Sequence, residues 1–244
     1  MKYEFFYKTV FFPEKGILVV GDLHLGFYKV LKTLGVLNLK NQLSEIISDF
    51  KTVFNQLKKK GYSLKKIIIL GDINHFFITK KDELSEFSKL ISFLTISVKK
   101  ENIIIIKGNH DVKKDFLGIT PKLYYIEEDT IFTHGHQQYS EVLDKKIRVI
   151  VFGHLHPSIM AEIGPNKEID FFKCFLEGEY DGKTFLVIPS FFRVIEGTLI
   201  NNYDKDYIES FSIIPKKDMM NSKIYLVNER EVQEIGKINE IFVS

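Results

Sequence analysis

Three aliphatic runs constrain this chain more than anything else in it. Residues 16–22, 67–72 and 103–109 are each dominated by Ile, Leu and Val, and each ends in Gly-Asp or Gly-Asn. No polar alternation breaks them, so each reads as a strand covered on both faces, as in a parallel or mixed sheet. Between the first two runs, residues 39–60 place Leu43, Ile46, Ile47, Phe50, Val53, Phe54 and Leu57 at spacings of three and four, which predicts an amphipathic helix. Residues 82–100 repeat the pattern with Leu84, Phe87, Leu90, Ile91, Leu94 and Val98. A β-α-β-α-β series of this kind predicts a layered α/β fold.

From about Tyr124 the texture changes. Short apolar runs at 130–133, 148–152, 184–188 and 223–227, separated by turn residues, read as strands mostly of a second sheet. No Pro/Gly/Ser linker, low-complexity tract or internal repeat forces a division, so residues 1–244 are expected to form one domain. A content of 45% hydrophobic and 27% charged residues suits a globular chain and argues against disorder. Thirty-four basic against 32 acidic side chains leave a formal charge of +2, too small for a whole-chain field that draws nucleic acid or membrane. Cys174 has no partner for an internal disulfide, and the N-terminus lacks the pattern of a secretion signal, so a cytoplasmic location is expected. The apolar runs fall far short of the roughly 18 residues that cross a bilayer, and no membrane span is expected.

The chemistry is concentrated. All seven histidines precede residue 157, and each stands in a short polar cluster just after a strand-like run. These clusters are Asp22 with His24, Asp72 with His75, Asn109-His110-Asp111, His134 with His136, and His154 with His156. Strand ends are where α/β folds build ligand sites, so one shared site is the simplest account. In an extended segment, residues two apart point to one side, which suits Asp22 with His24 and His154 with His156 to chelation. A single such pair would more often be solvated; the series is what carries weight. Carboxylate, imidazole and amide donors without thiolate indicate borderline-to-hard cations such as Mn, Fe, Zn or Co and exclude an iron–sulfur site. So many donors would over-supply one ion, whereas two ions about 3.5 to 4 Å apart would use them and need a shared carboxylate, for which Asp72 on the central run is placed.

The ordered set Gly-Asp-Leu-His (21–24), Gly-Asp (71–72), Gly-Asn-His-Asp (108–111), Thr-His-Gly (133–135) and Gly-His-Leu-His (153–156) resembles the calcineurin-like metallophosphoesterases over about residues 16–157. The resemblance implies a four-layer α/β/β/α sandwich with two mixed sheets. It implies one divalent ion on Asp22, His24, Asp72 and His156 and another on Asp72, Asn109, His134 and His154, manganese first, with Fe, Zn, Co or Ni as alternatives. It also implies catalytic roles for His110 and Asn109 near the phosphate. In the expected mechanism a hydroxide bridging the two ions attacks phosphorus in line, Asn109 and His110 stabilise the developing charge, and His110 protonates the leaving oxygen. The N-terminal hairpin, with Gly-Asp-Ile-Asn-His (71–75) and Gly-His-Leu-His-Pro (153–157), is similar to the ligase-associated DNA damage response endonucleases. That similarity implies a phosphodiester substrate, with DNA as the candidate.

One departure bears on mechanism. Many relatives carry a second Asp three positions after the bridging one, where it orients the catalytic histidine; here that position is His75. One imidazole cannot support another as a carboxylate does. Asp111 is the candidate substitute, and His75 and His136 are open between support of the ligands and structural hydrogen bonding. Paired lysines such as Lys99-Lys100 and Lys145-Lys146 read as solvated loop and helix ends, with Lys113-Lys114 the exception at the mouth of the site. Phe76-Phe77, Phe171-Phe172 and Phe191-Phe192 read as packing rather than base stacking. A phosphodiesterase is the leading expectation, with a phosphomonoesterase or cyclic-nucleotide hydrolase as the alternative. A non-catalytic scaffold would show eroded ligands, and none is eroded here.

Overall fold

The computed structural model describes residues 2–36, 41–75, 81–111, 115–163, 165–194, 197–201, 212–228 and 231–241. Phe76, Phe77, Lys80, Lys113 and Lys114 lie outside the described residues.

The first sheet runs β1 (Glu4–Phe6), β2 (Thr9–Phe12), β3 (Ile17–Val20), β4 (Lys66–Ile69) and β5 (Ile103–Ile105), in that spatial order. The first three strands are antiparallel neighbours; β3, β4 and β5 are parallel. The parallel strands are connected through helices, as strand-to-strand crossovers require. A short helix α1 (Phe27–Thr33) and the long α2 (Gln42–Lys59) follow β3, and α3 (Lys81–Leu94) follows β4. The Asn41 side chain caps α2 by accepting from the Ser44 amide at 2.9 Å. At the other end Gly61 turns left-handed at φ 74°, and the Tyr62 amide reaches back to the Leu57 carbonyl at 3.0 Å.

Why the three aliphatic runs show no alternation is now plain. Leu18, Val20, Ile67 and Ile69 face the helices with Phe50, Val53, Phe87 and Leu90, whereas Ile17, Val19, Ile68 and Leu70 face the second sheet. Both faces of each strand are dry, so the period of two is chemically silent.

The second sheet contains β6 (Tyr124–Glu127), β7 (Thr130–Thr133), β8 (Val149–Phe152), β9 (Ser158–Ile163), β10 (Glu168–Tyr180), β11 (Lys183–Val187), β12 (Lys223–Val227) and β13 (Val232–Lys237). Its order is β13-β12-β10-β11-β8-β7-β6, with β9 paired to β10. The central strands β7, β8 and β11 are parallel and the rest antiparallel, so this sheet is mixed as well. The two sheets pack face to face through Phe132, Val149, Val151, Phe175 and Leu186, with Phe12 edge-on to Phe132 at 5.7 Å and Phe5 stacked on Phe175 at 4.5 Å between ring centroids. Ile150, Phe152, Leu176 and Phe185 point the other way, toward the short helix α4 (Lys216–Met219) and the loops before it. Two mixed sheets with helices outside the first and a thinner cover over the second make up the layered α/β sandwich.

The expected elements are present with shorter ends: the helix expected to reach Lys100 stops at Leu94. β10, its partner β9 and the edge strand β13 are additions that hydrophobic pattern does not reveal.

Candidate metal centre

Each histidine cluster follows a strand of a parallel set, so both sheets deliver their chemistry to one edge. Asp22 and His24 follow β3, Asp72 follows β4, Asn109 and His110 follow β5, His134 follows β7, and His154 and His156 follow β8. Main-chain bonds fix the loops to one another: the His24 amide donates to the Asp72 carbonyl at 2.8 Å and the Gly153 amide to the His134 carbonyl at 3.0 Å. The loops also pass very close. A Cβ on Gly108 would lie 2.0 Å from an Asp72 carboxylate oxygen, and one on Gly153 2.4 Å from an Asp22 oxygen. Glycine at these two positions is what allows the carboxylates to sit against the neighbouring backbone.

Two groups of side chains result, each with donor atoms within 4.8 Å of one another: Asp22, His24 and His156; and Asp72, His134 and His154. His156 Nε2 is 2.7 Å from Asp22 Oδ2, and His134 Nε2 is 2.9 Å from Asn109 Oδ1. Asp72 Oδ2 lies between the groups, 3.7 Å from His24 Nε2, 3.6 Å from His134 Nε2 and 3.9 Å from His110 Nε2. Of the residues read from the sequence as ligands, all seven are therefore gathered at one place: Asp22, His24, Asp72, Asn109, His134, His154 and His156.

Four of these residues, His24, Asp72, His154 and His156, have positive φ, at 44°, 44°, 64° and 45°. A left-handed backbone is unfavourable for a side chain with a Cβ, and four such residues at one site mark a place where geometry is imposed by the surroundings.

The electrostatics suit divalent cations. Burial and the neighbouring Asp22 charge push the Asp72 carboxyl up to about 9. Burial would raise Asp22 too, but the attraction of His156 and His134 outweighs it and holds that carboxyl below the usual range. Burial drives His134 down to about 3 and His154 to about 4, and His24 well below its ordinary value. The imidazoles are thus neutral, the form in which they coordinate metals. Both ring nitrogens of buried His24 lack a hydrogen bond among the described residues. Buried polar atoms ordinarily find partners. Orphaned imidazole nitrogens beside two inward carboxylates, with no thiolate present, fit an oxygen- and nitrogen-liganded divalent ion.

Asp111 does not orient His110. Its carboxylate is buried and accepts from the amides of Ile73 and Gly108, each at 3.0 Å, bracing the β4 and β5 loops against each other. His110 Nδ1 instead lies 3.1 Å from the main-chain carbonyl of His75, and the two rings are nearly parallel at 6.0 Å. Nδ1 can pair with a carbonyl only by donating, which leaves Nε2 facing Asp72. So the position where relatives carry a carboxylate contributes a backbone oxygen. Side-chain identity at residue 75 gave no signal of that contact. His136 is exposed, its ring 5.1 Å from that of His134.

The cavity above the centre measures about 360 Å³ and is lined by His24, Asp72, Asn109, His154 and His156 together with His75, His110, Leu155, Gly197 and Thr198. Phe192, which the sequence did not mark as part of the site, packs against a ligand: its ring lies edge-on to His24 at 5.5 Å and to Phe27 at 5.5 Å. The segment carrying Phe192 is held from below. The Phe191 amide donates to the Asp22 carbonyl at 2.8 Å, the Lys8 ammonium bonds the Phe191 carbonyl and Asp49, and Arg193 forks onto Asp49 at 2.7 Å. Lys8 is fully enclosed, and burial brings its ammonium down to about 8.

Comparison with known proteins is consistent with this geometry. A Pseudomonas putida nuclease, MPE, superposes with a TM-score of 0.59 at 17% identity, over 96% of this chain and all of its own. A protein of unknown function from Aquifex aeolicus, AQ665, matches with a TM-score of 0.36 and 17% identity over 57% of this chain and 78% of its own. No curated protein sequence matches the chain. Residues 16–158, which carry every loop of the centre, match the calcineurin-like phosphoesterase family, and with more than half its length in that match the chain belongs to this family of phosphoester hydrolases.

Proposed function

We propose that this protein is a two-metal phosphodiesterase acting on nucleic acid. The observation that carries the reading is the pairing of two donor groups across a shared Asp72, with His24 Nε2 and His134 Nε2 at 3.7 and 3.6 Å from the same carboxylate oxygen. One cation would be held by Asp22, His24, Asp72 and His156, and the second by Asp72, Asn109, His134 and His154, with manganese the preferred ion for this donor set. When bound, such a pair supplies Lewis acidity and a water of lowered pKa near neutral pH.

The chain's own residues do the rest. Asn109, exposed at the rim, offers an amide to a nonbridging phosphate oxygen. His110, its Nδ1–H held by the His75 carbonyl, presents Nε2 to the cavity and, from its imidazolium form, gives the Nε2 proton to the leaving oxygen and is left as the neutral Nδ1–H ring. Leu155 supplies an apolar part of the cavity wall. The structural likeness to a nuclease supports a nucleic-acid substrate. We read residues 1–244 as one domain, since the site needs loops from both sheets. Among the described residues no helix is long and apolar enough to cross a membrane.

Hydrolysis of bis(p-nitrophenyl) phosphate by chelator-stripped protein titrated with manganese, alongside Asp72→Asn, tests this. Activity that returns with metal and is lost in the variant supports the reading. Metal-loaded wild-type protein inert toward every diester, yet active on p-nitrophenyl phosphate, would transfer it to the monoesterases.

A further inference from the structure

An imidazole that ligates a metal is ordinarily aimed by a hydrogen bond from its other ring nitrogen. His134 follows that rule, its Nδ1 donating to the Leu70 carbonyl at 2.8 Å. His24 does not. Neither of its ring nitrogens has a hydrogen bond among the described residues, although the residue is buried. What surrounds the His24 ring is other rings at steep angles: His156 at 5.1 Å, His75 and His110 at 5.4 Å, and Phe192 at 5.5 Å between centroids. Three of these are polar rings of the same site. Phe192 is the apolar one, and it also lies 6.3 Å from the ring of His156, the other imidazole of the same donor group.

Phe192 is held more firmly than filling a core requires. Its ring is buried, and the Lys173 ammonium, bonded to the buried Ser190 hydroxyl, stands 4.7 Å from its centroid. On one side in sequence, the Phe191 amide donates to the Asp22 carbonyl at 2.8 Å, and the Phe191 carbonyl accepts from the Lys8 ammonium. On the other, Arg193 donates to Asp49 at 2.7 Å, and Asp49 pairs with Lys8 at 2.8 Å. The desolvation cost of buried ions offsets much of their attraction, so apolar packing would serve stability as well. What this cluster fixes is position. Both neighbours of Phe192 are tied to one buried ammonium–carboxylate pair, and Phe191 is tied as well to the loop that carries Asp22 and His24.

We propose that Phe192 is a positioning residue for His24. Its ring does for this imidazole what the Leu70 carbonyl does for His134, holding it so that a nitrogen faces the ion shared with Asp22 and His156. This rests on the two-metal reading above. A ring that only fills the core would lower stability when removed and affect both metal sites alike, whereas a positioning ring acts on one site and through one histidine.

The test is manganese binding to chelator-treated, full-length protein by isothermal titration calorimetry, with folding followed by urea unfolding. Wild-type protein should take up two equivalents, and His24→Ala should weaken one of the two steps, which identifies the step that uses His24. Phe192→Ala should weaken that same step about tenfold or more and leave the other within about twofold. Phe192→Leu, which keeps most of the buried volume without the ring, should show the same selective loss, and it decides the matter if Phe192→Ala does not fold. Added to His24→Ala, Phe192→Ala should weaken that step no further, because the two changes remove one contact. With cobalt in place of manganese, the visible absorption of the affected site should change in Phe192→Leu, as expected of an ion whose imidazole has turned. Two steps that weaken equally or not at all, losses that add in the double variant, or an unchanged cobalt spectrum overturn the role of Phe192 and leave the two-metal reading standing. Wild-type protein that takes up fewer than two equivalents overturns both.

Discussion

β3, β4 and β5 bring Asp22, His24, Asp72 and Asn109 to the site, whereas β7 and β8 bring His134, His154 and His156 and no carboxylate. The helix-covered sheet thus contributes all the negative charge, and the second sheet contributes imidazoles, of which burial holds His134 and His154 well below their ordinary range. Each donor group takes members from both: Asp22 and His24 join His156, and Asp72 joins His134 and His154. Neither sheet can assemble a complete group by itself. The packed interface between the sheets is therefore a precondition of the chemistry, and occupancy of the site should in turn hold the sheets together.

Several substitutions would break or sharpen that contrast. The largest effect is expected from Asp72→Asn, because this carboxylate faces histidines of both groups; activity on bis(p-nitrophenyl) phosphate should drop roughly a thousandfold or more, the upper range for loss of one electrostatic contact. A similar loss on replacing only one histidine, with Asp72→Asn mild, would contradict the bridging position. Next comes the interface. Phe132→Ala should cost about 3 to 5 kcal/mol in urea unfolding by removing a fully buried ring between the sheets. Metal should then recover part of that loss: manganese at a hundredfold excess over its Kd should stabilise the native state by about 2.7 kcal/mol over chelator-treated protein. No shift of Tm with manganese would separate site occupancy from sheet docking. The smallest effect is expected at His75→Ala, which should lower kcat less than about tenfold because the main-chain carbonyl that takes His110 Nδ1 survives, while His110→Ala should lower it about a hundredfold or more. Equal losses would mean that the His75 ring, not its backbone, does the orienting.

How much of this was readable in the sequence differs between the same two sheets. β3, β4 and β5 stand out because parallel strands buried on both faces leave unbroken aliphatic runs, and α2 and α3 because their apolar stripes pack on that sheet. β10 was hidden. Its first residues, Glu168 to Phe171, are exposed on both faces where the strand pairs only with β9, so Glu168, Asp170 and Lys173 interrupt any apolar pattern. At the site, the ligands were legible as residue types at strand ends. The support of His110 was not, since a main-chain oxygen is the same whatever residue carries it, and proximity in sequence pointed to Asp111, whose carboxylate is taken up by the amides of Ile73 and Gly108. Phe192 was unmarked for a related reason: the fold brings it back from after β11 to face His24 across more than 160 positions of chain.

The left-handed backbone at residues 24, 72, 154 and 156 sets the catalytic centre at odds with the rest of the molecule. Holding a non-glycine residue there costs about 1 kcal/mol or more apiece, while glycine or asparagine adopts the same conformation with less penalty. A library of this chain screened for heat resistance alone, without metal and without any demand for turnover, should accumulate those residues at these four positions. Thermal hardiness and competence would then be selected in opposite directions at the same sites, and the present sequence records which of the two has been kept.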